Sequence, residues 1–248
     1  MITLAVAMPV FNEADGIHET LSELNHIFKN ANEDVQYFIQ NDQSTDNTVE
    51  IISKSADELG MKILLETNPT NLGHGPTVIN AYLRAVNSEA ETVLQLDSDG
   101  QFNPGELVKL LNSVRSGNEL AIGVRKNRVD PWFRIILTKS LRILLFLRFG
   151  KYFEDPNSPI RAYKKEVLRN LIKHVPSNAL IPNIYLVIIA KLRGIRIEHF
   201  SVTHRDRRGK NKMGSTWVSK SRLKSIVRLT RFTTRALREF FGFKPTRV

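Results

Sequence analysis

The stretch "VLQLDSDGQF", residues 93–102, runs from apolar side chains straight into Asp97 and Asp99, then Gly100 and Gln101. Residues i and i+2 of an extended chain point to the same side. Two carboxylates can therefore aim at one point where a buried strand ends, and Gln101 can add a third oxygen if the turn continues that way. Hard divalent cations want such oxygens, and Mg²⁺ in particular is commonly held by one or two carboxylates plus the phosphates of a substrate. Taken alone, the ten residues also fit a solvated turn in which Asp and Gly punctuate a strand.

The flanking sequence favours the metal. "ITLAVAM" precedes a segment whose Ile17, Leu21, Leu24 and Phe28 recur at helical spacing. "VQYFIQN" precedes "TVEIISKSADEL", "KILLE" precedes "GPTVINAYLRAV", "TVLQL" precedes "PGELVKLLNSV", and "ELAIGV" follows. Short β-like runs alternating with helical patterns predict an α/β domain with a mostly parallel sheet covered by helices. Ligands of such sheets sit beyond the carboxyl ends of the strands. The polar clusters "PVFNE", "NDQSTDNT", "NLGHG" and "DSDGQ" all follow a strand-like run.

The chain has 248 residues, 42% hydrophobic, enough for one substantial core. It contains no cysteine, so a disulfide framework, a thiolate metal site and a thiol nucleophile are excluded. The opening "MITLAVAMPVFNEADG" reads as a first strand rather than a signal peptide, and no run of about 18 uncharged apolar residues predicts a membrane span. The net charge of +11 is concentrated at one end. Residues 200–248 hold 14 Lys and Arg against Asp206 and Glu239, whereas the preceding 199 residues hold 22 basic and 23 acidic side chains. The tail is therefore expected to meet an anionic surface or polymer.

"MPVFNEADGI", "NDQSTDNT", "NLGHGPTVINA", "LQLDSDGQFNP", "IGVR" and "DPNSPIRAYKKEVL" together resemble the ordered motifs of family 2 glycosyltransferases with the GT-A (Rossmann-like) fold. The resemblance spans roughly residues 3–214 and is greatest to the dolichyl-phosphate mannosyltransferase-like, polyprenyl-phosphate branch, whose motif is DxDxQ followed by a proline. It implies a glycosyltransferase domain over residues 1–214, followed by a basic amphipathic helix or tail over 215–248. It further implies that Pro9, Phe11 and Glu13 line the nucleotide base and ribose and that Asp42 accepts hydrogen bonds from the base. Asp97, Ser98, Asp99, Gln101, Arg125 and Lys212 would complete the nucleotide-sugar site, with Mg²⁺ or Mn²⁺ on Asp97, Asp99 and Gln101. Asn41 stands where the family commonly has the first of two aspartates, and Thr77 and Ala81 replace usual small residues of the "NLGHGP" loop, which reads as structural, with Pro76 starting a helix.

The acceptor sets the remaining chemistry. A sugar hydroxyl needs a general base, and Asp155 sits where many family members carry one. A polyprenyl phosphate is already an oxyanion and needs positioning cations, for which Arg161, Arg205 and Arg207 are the candidates. Asp99, Arg125, Asp155 and Arg161 are thus the residues expected at the reaction centre. Residues 132–150 are strongly apolar but broken by Arg134, Lys139, Arg142 and Arg148; residues 217–243 set Leu223, Ile226, Val227, Leu237, Phe240 and Phe241 among many cations. Both suit an anionic membrane surface. The expected protein is a cytoplasmic, membrane-peripheral, metal-dependent inverting transferase moving one sugar from GDP-mannose or a UDP-hexose to a dolichyl or undecaprenyl phosphate. A family 2 enzyme acting on a glycan or other hydroxyl with Asp155 as base is the alternative. A basic nucleic-acid-binding protein would explain the tail but not the DxDxQ constellation, so no nucleic-acid partner is expected.

Overall fold

The computed structural model describes residues 2–126, 132–208 and 222–245. The chain runs β1 (Leu4–Val10), α1 (Ile17–Asn30), β2 (Val35–Asn41), α2 (Thr48–Leu59), β3 (Lys62–Thr67), α3 (His74–Ala85), β4 (Thr92–Gln95), α4 (Pro104–Arg115) and β5 (Leu120–Lys126). It continues as α5 (Trp132–Phe149), β6 (Arg161–Lys164), α6 (Lys165–Ile172), α7 (Pro182–Leu192), β7 (Ile197–Thr203) and α8 (Arg222–Gly242). The strands form one sheet in the order β3-β2-β1-β4-β6-β5-β7. Every pairing is parallel except those of β6, which runs antiparallel to β4 and β5. This is the expected GT-A arrangement.

Two apolar layers sandwich the sheet. Leu4, Val6, Met8 and Val10 of β1 face the α1, α2 and α4 side, while Ala5 and Ala7 face α3, α6 and α7. All seven residues of β1 are buried, as a central parallel strand covered on both faces requires. The small Ala5 and Ala7 let α3 lie close to the sheet. Where α3 begins, at His74 rather than at the expected Pro76, an added Cβ on Gly75 would run into the Ala179 carbonyl oxygen.

The sheet changes direction between β1 and β4: β2 and β3 lie to one side of β1, and β4 to the other. This is the topological switch point where such sheets open a crevice at their carboxyl edge. Insertion of β6 sets Arg161 in register with Gln95 of β4 and Ile122 of β5.

The end of α8 belongs to the main core. Phe240 is 1% exposed and Phe243 6%, and the Tyr185 and Phe243 rings stack at 4.1 Å. Arg148 of α5 donates to the Phe240 and Phe243 carbonyls and lies over the Phe240 ring. Phe240, expected on a lipid-facing stripe, instead points inward; Leu237 and Phe241 remain exposed. The expected boundary between residues 214 and 215, and Lys212, lie outside the described residues. Among the described residues no helix is long and apolar enough to cross a membrane.

Candidate active site

The loops after β1 and β2 are tied together. Asn12, in the left-handed region at φ 53, receives a hydrogen bond from the Thr45 N–H at 2.8 Å, and its own N–H donates to Ser44 Oγ at 3.0 Å. The Glu13 N–H donates to Thr48 Oγ1 at 2.8 Å. Asn41 closes the second loop by accepting from the Ser44 N–H and hydroxyl. Asp42 is 4% exposed. Its carboxylate accepts from the Leu72 and Gly73 N–H groups at 2.7 and 2.9 Å and from Asn68 Nδ2 at 2.9 Å. The expected base acceptor therefore anchors the "NLG" loop to the sheet. Pro9 is buried on β1 and Phe11 half-buried just beyond it.

Beyond β4, Asp97, Asp99, Gln101, Arg125, Ile160 and His204 line a cavity of about 30 Å³. The Gln101 N–H donates to Asp99 Oδ1 at 3.2 Å, which fixes the turn, while Ser98 points into the interior, 4% exposed. Gln101 Nε2 lies 3.2 Å from the Arg205 carbonyl and 3.3 Å from His204 Nε2. His74 Nε2 stands 3.9 Å from Asp97 Oδ1. Arg207 reaches across the loops, its Nη1 3.2 Å from Asp99 Oδ2 and its Nη2 paired with Glu13 Oε1. Glu13 thus joins the acidic centre as well as the loop after β1.

Burial dominates the electrostatics. It pushes the Glu13 carboxyl up to about 7 against the pull of Arg207, and Asp99 adds to the rise. Burial and then the Asp97 charge push Asp99 up to about 6, with Arg207 again opposing. Among the described residues no three acidic, histidine or cysteine side chains form a metal cage by themselves. Two carboxylates with a glutamine oxygen fit an ion that keeps substrate phosphates in its coordination shell, and the crowded carboxylates are short of positive charge. The donor set therefore suits Mg²⁺ or Mn²⁺.

Arg125 and Asp155 form a bidentate pair at the cavity edge, 2.9 Å for each bond. The structure does not bring Arg161 to the site. It is 0% exposed, and its guanidinium donates to the carbonyls of Ser158, Asn183 and Pro156 at 2.7, 2.7 and 2.5 Å. The expected acceptor-phosphate ligand is thus a structural cation beneath the sheet's carboxyl edge, because its register on β6 turns it inward. Arg205 pairs with Glu23 of α1 at 3.3 Å, and Arg208 pairs with the same carboxylate. The sequence reading missed His204 and Glu23. His204 carried the usable signal, a polar residue directly after a strand-like run.

A family model described as Glycosyl transferase family 2 matches residues 5–175. An undecaprenyl-phosphate 4-deoxy-4-formamido-L-arabinose transferase of Serratia proteamaculans is 23% identical over 204 residues, covering 82% of this chain and 60% of the relative. The protein of that name from Edwardsiella ictaluri is 24% identical over 96% of this chain and 71% of its own length. The chain thus spans about 60% to 71% of these relatives. Among solved structures, mannosyl-3-phosphoglycerate synthase from Rubrobacter xylanophilus superposes with a TM-score of 0.67 at 16% identity, covering 100% of this chain and 77% of that one. Glucosyl-3-phosphoglycerate synthase from Mycobacterium tuberculosis, in complex with Mn²⁺ and UDP-glucose, gives 0.64 at 17% identity, covering 98% and 80%. These likenesses establish a shared fold.

Proposed function

The chain belongs to glycosyl transferase family 2; on that premise we propose that it is a glycosyltransferase that moves a single sugar from a nucleoside diphosphate sugar to a polyprenyl phosphate at a membrane surface. The observation that carries this reading is the convergence of Asp97, Asp99, Gln101 and Arg125 on one cavity at the switch-point edge of the sheet. Asp97, Asp99 and Gln101 would hold Mg²⁺ or Mn²⁺. When bound, the ion neutralises charge that grows on the departing nucleoside diphosphate.

The chain's own groups supply position. Arg125, oriented by Asp155, directs a guanidinium toward the donor phosphates. The two oxygens of Asp155 are committed to that arginine, which favours an acceptor that arrives already ionised, such as a lipid phosphate. The named acceptor of the curated relatives is undecaprenyl phosphate, which supports the same choice.

A membrane-facing side is consistent with the exposed residues. Ile143, Phe146 and Leu147 of α5 are 59%, 56% and 75% exposed, between exposed Lys139 and Lys151. On α8, exposed Leu237 and Phe241 accompany exposed Arg231, Arg235 and Arg238. Apolar side chains among cations suit the headgroup region of anionic lipid, and we place the protein on the cytoplasmic face.

The test is transfer from GDP- and UDP-sugars, with Mn²⁺, to dolichyl or undecaprenyl phosphate in vesicles. A lipid-linked sugar that is absent with Asp99→Asn supports the reading. Transfer only to a glycan hydroxyl overturns it.

A further inference from the structure

We propose that Arg207 is an internal counter-cation of the donor site, holding Asp99 and Glu13 in the empty enzyme and giving up Asp99 to the divalent cation when the donor enters. The inference rests on the metal-dependent donor site proposed above.

Arg207 bridges carboxylates from two separate loops, Glu13 after β1 and Asp99 after β4. The three side chains are only 10% to 13% exposed, so the bridge lies in a desolvated place where charge must be matched. Asp99 has both oxygens engaged, Oδ2 by Arg207 and Oδ1 by the Gln101 N–H. A metal ion on Oδ2 would stand close to the guanidinium that already donates to it, two cations against one carboxylate. Arg207 and the ion therefore compete for the charge of Asp99.

The backbone around Arg207 lies across the motif as a strap. The Arg205 N–H donates to the Gln101 carbonyl at 3.3 Å and the Arg208 N–H to the Asp99 carbonyl at 3.1 Å. Arg205 and Arg208 both pin the strap to Glu23. Gly100, at φ 69, makes the close approach possible, since a Cβ there would lie 2.7 Å from Arg208 Cδ and 3.0 Å from Thr20 Oγ1. The cavity of about 30 Å³ beside the strap, lined by His204 but by none of Arg205, Arg207 and Arg208, has room for a water. A diphosphate brought to Asp99 displaces the Arg207 bridge, and the strap that carries it shifts.

Charge makes the exchange favourable only when ion and diphosphate arrive together. A metal ion alone would expel Arg207 from Asp99 and leave its guanidinium, among the described residues, with Glu13 in place of two carboxylates. The diphosphate that accompanies the ion gives Arg207 a new partner. Arg207 Nε is already buried with no hydrogen-bond partner among the described residues, a donor placed for an incoming phosphate oxygen. Metal and nucleotide should therefore bind synergistically, and Arg207 should be the source of the synergy.

The experiment is Mn²⁺ titration of full-length protein, followed by electron paramagnetic resonance, with and without UDP or GDP. Arg207→Gln should bind Mn²⁺ alone about tenfold or more tightly than wild type, while nucleotide should improve its Mn²⁺ affinity far less. Glu23→Gln, which loosens the strap and leaves the donor set intact, should raise nucleotide affinity a few-fold with the synergy retained. Equal or weaker Mn²⁺ binding by a folded Arg207→Gln overturns the exchange and leaves the donor-site reading standing. If wild type and Arg207→Gln both fail to bind Mn²⁺ even with nucleotide present, the donor-site reading falls and takes this inference with it.

Discussion

Arg125 grips Asp155 through both carboxylate oxygens, Nε to Oδ2 and Nη2 to Oδ1 at 2.9 Å each, and the Arg125 backbone N–H adds a bond to Oδ2 at 3.3 Å. The pair comes from the end of β5 and the loop before β6. Its side chains are only 12% and 4% exposed, so the pairing positions an arginine at the cavity and stabilises the loop at once.

Asp155→Asn should therefore act first through structure. Breaking a buried ion pair costs about 3–5 kcal/mol, so the melting temperature should fall and donor KM should rise as Arg125 loses its anchor. With a lipid-phosphate acceptor, kcat at saturating donor should stay within about tenfold of wild type. Loss of a general base costs roughly 10²–10⁴-fold; a fall of that size in kcat at an unchanged melting temperature would assign Asp155 to hydroxyl deprotonation instead.

Arg161→Met should behave as a core defect. It leaves the Ser158, Asn183 and Pro156 carbonyls without their donor, at about 1–3 kcal/mol for each buried group. A loss of several kcal/mol lowers the melting temperature by about 10 °C or more for a chain of this size. Arg161→Lys should not rescue it, because one ammonium cannot reproduce the guanidinium fork. A variant with native melting temperature and a raised KM for lipid phosphate would restore the role of acceptor ligand.

In chelating buffer the empty protein should lose stability as pH rises. Glu13 titrates at about 7 and Asp99 at about 6 in the folded state, against ordinary values of 4.5 and 3.8. The folded state keeps protons that the unfolded chain has already released. This contribution is full below about pH 4 and is lost as pH rises through about 6 to 7. Melting temperature measured from about pH 4 to 8 should decline over that window, and the decline should flatten in Glu13→Gln combined with Asp99→Asn. Stabilisation by Mn²⁺ with nucleoside diphosphate should be greater at about pH 7.5 than at about 5.5, since the ion binds ionised carboxylates.

Phe146→Ser combined with Leu147→Ser tests the proposed membrane-facing side without disturbing the core. Both positions are exposed, and such surface changes usually shift stability by about 0.5 kcal/mol or less each. Sedimentation with anionic vesicles should drop sharply, nucleotide binding should be unchanged, and added salt should weaken whatever binding remains. Undiminished vesicle binding would exclude this part of α5 as the contact.

The strand-helix alternation and the DxDxQ turn were legible because they are local. A period near two or 3.6 residues reports which side of an element is buried, and Asp97, Asp99 and Gln101 lie within five residues of one another. Arg161 was misread because "SPIRAY" gives no sign that β6 would enter the sheet antiparallel between β4 and β5 and turn that side chain inward. Phe240 was misread in the same way. A basic amphipathic helix has one apolar stripe, and nothing in the stripe says whether a bilayer or Phe149 and Arg148 will cover it.

From its sequence alone this protein was legible as a mostly parallel α/β domain with an acidic, metal-suited turn after its fourth strand, since repeated local patterns and closely spaced carboxylates survive any detail of packing; its place in glycosyl transferase family 2 was carried by the resemblance of its ordered motifs. Only the tertiary structure decided which cations serve that turn. Arg207 reaches Asp99 from 108 positions away, and Arg125 meets Asp155 across 30. Pairings over such separations depend on how strands are ordered and registered, and that order follows from burial across the whole sheet rather than from any one segment.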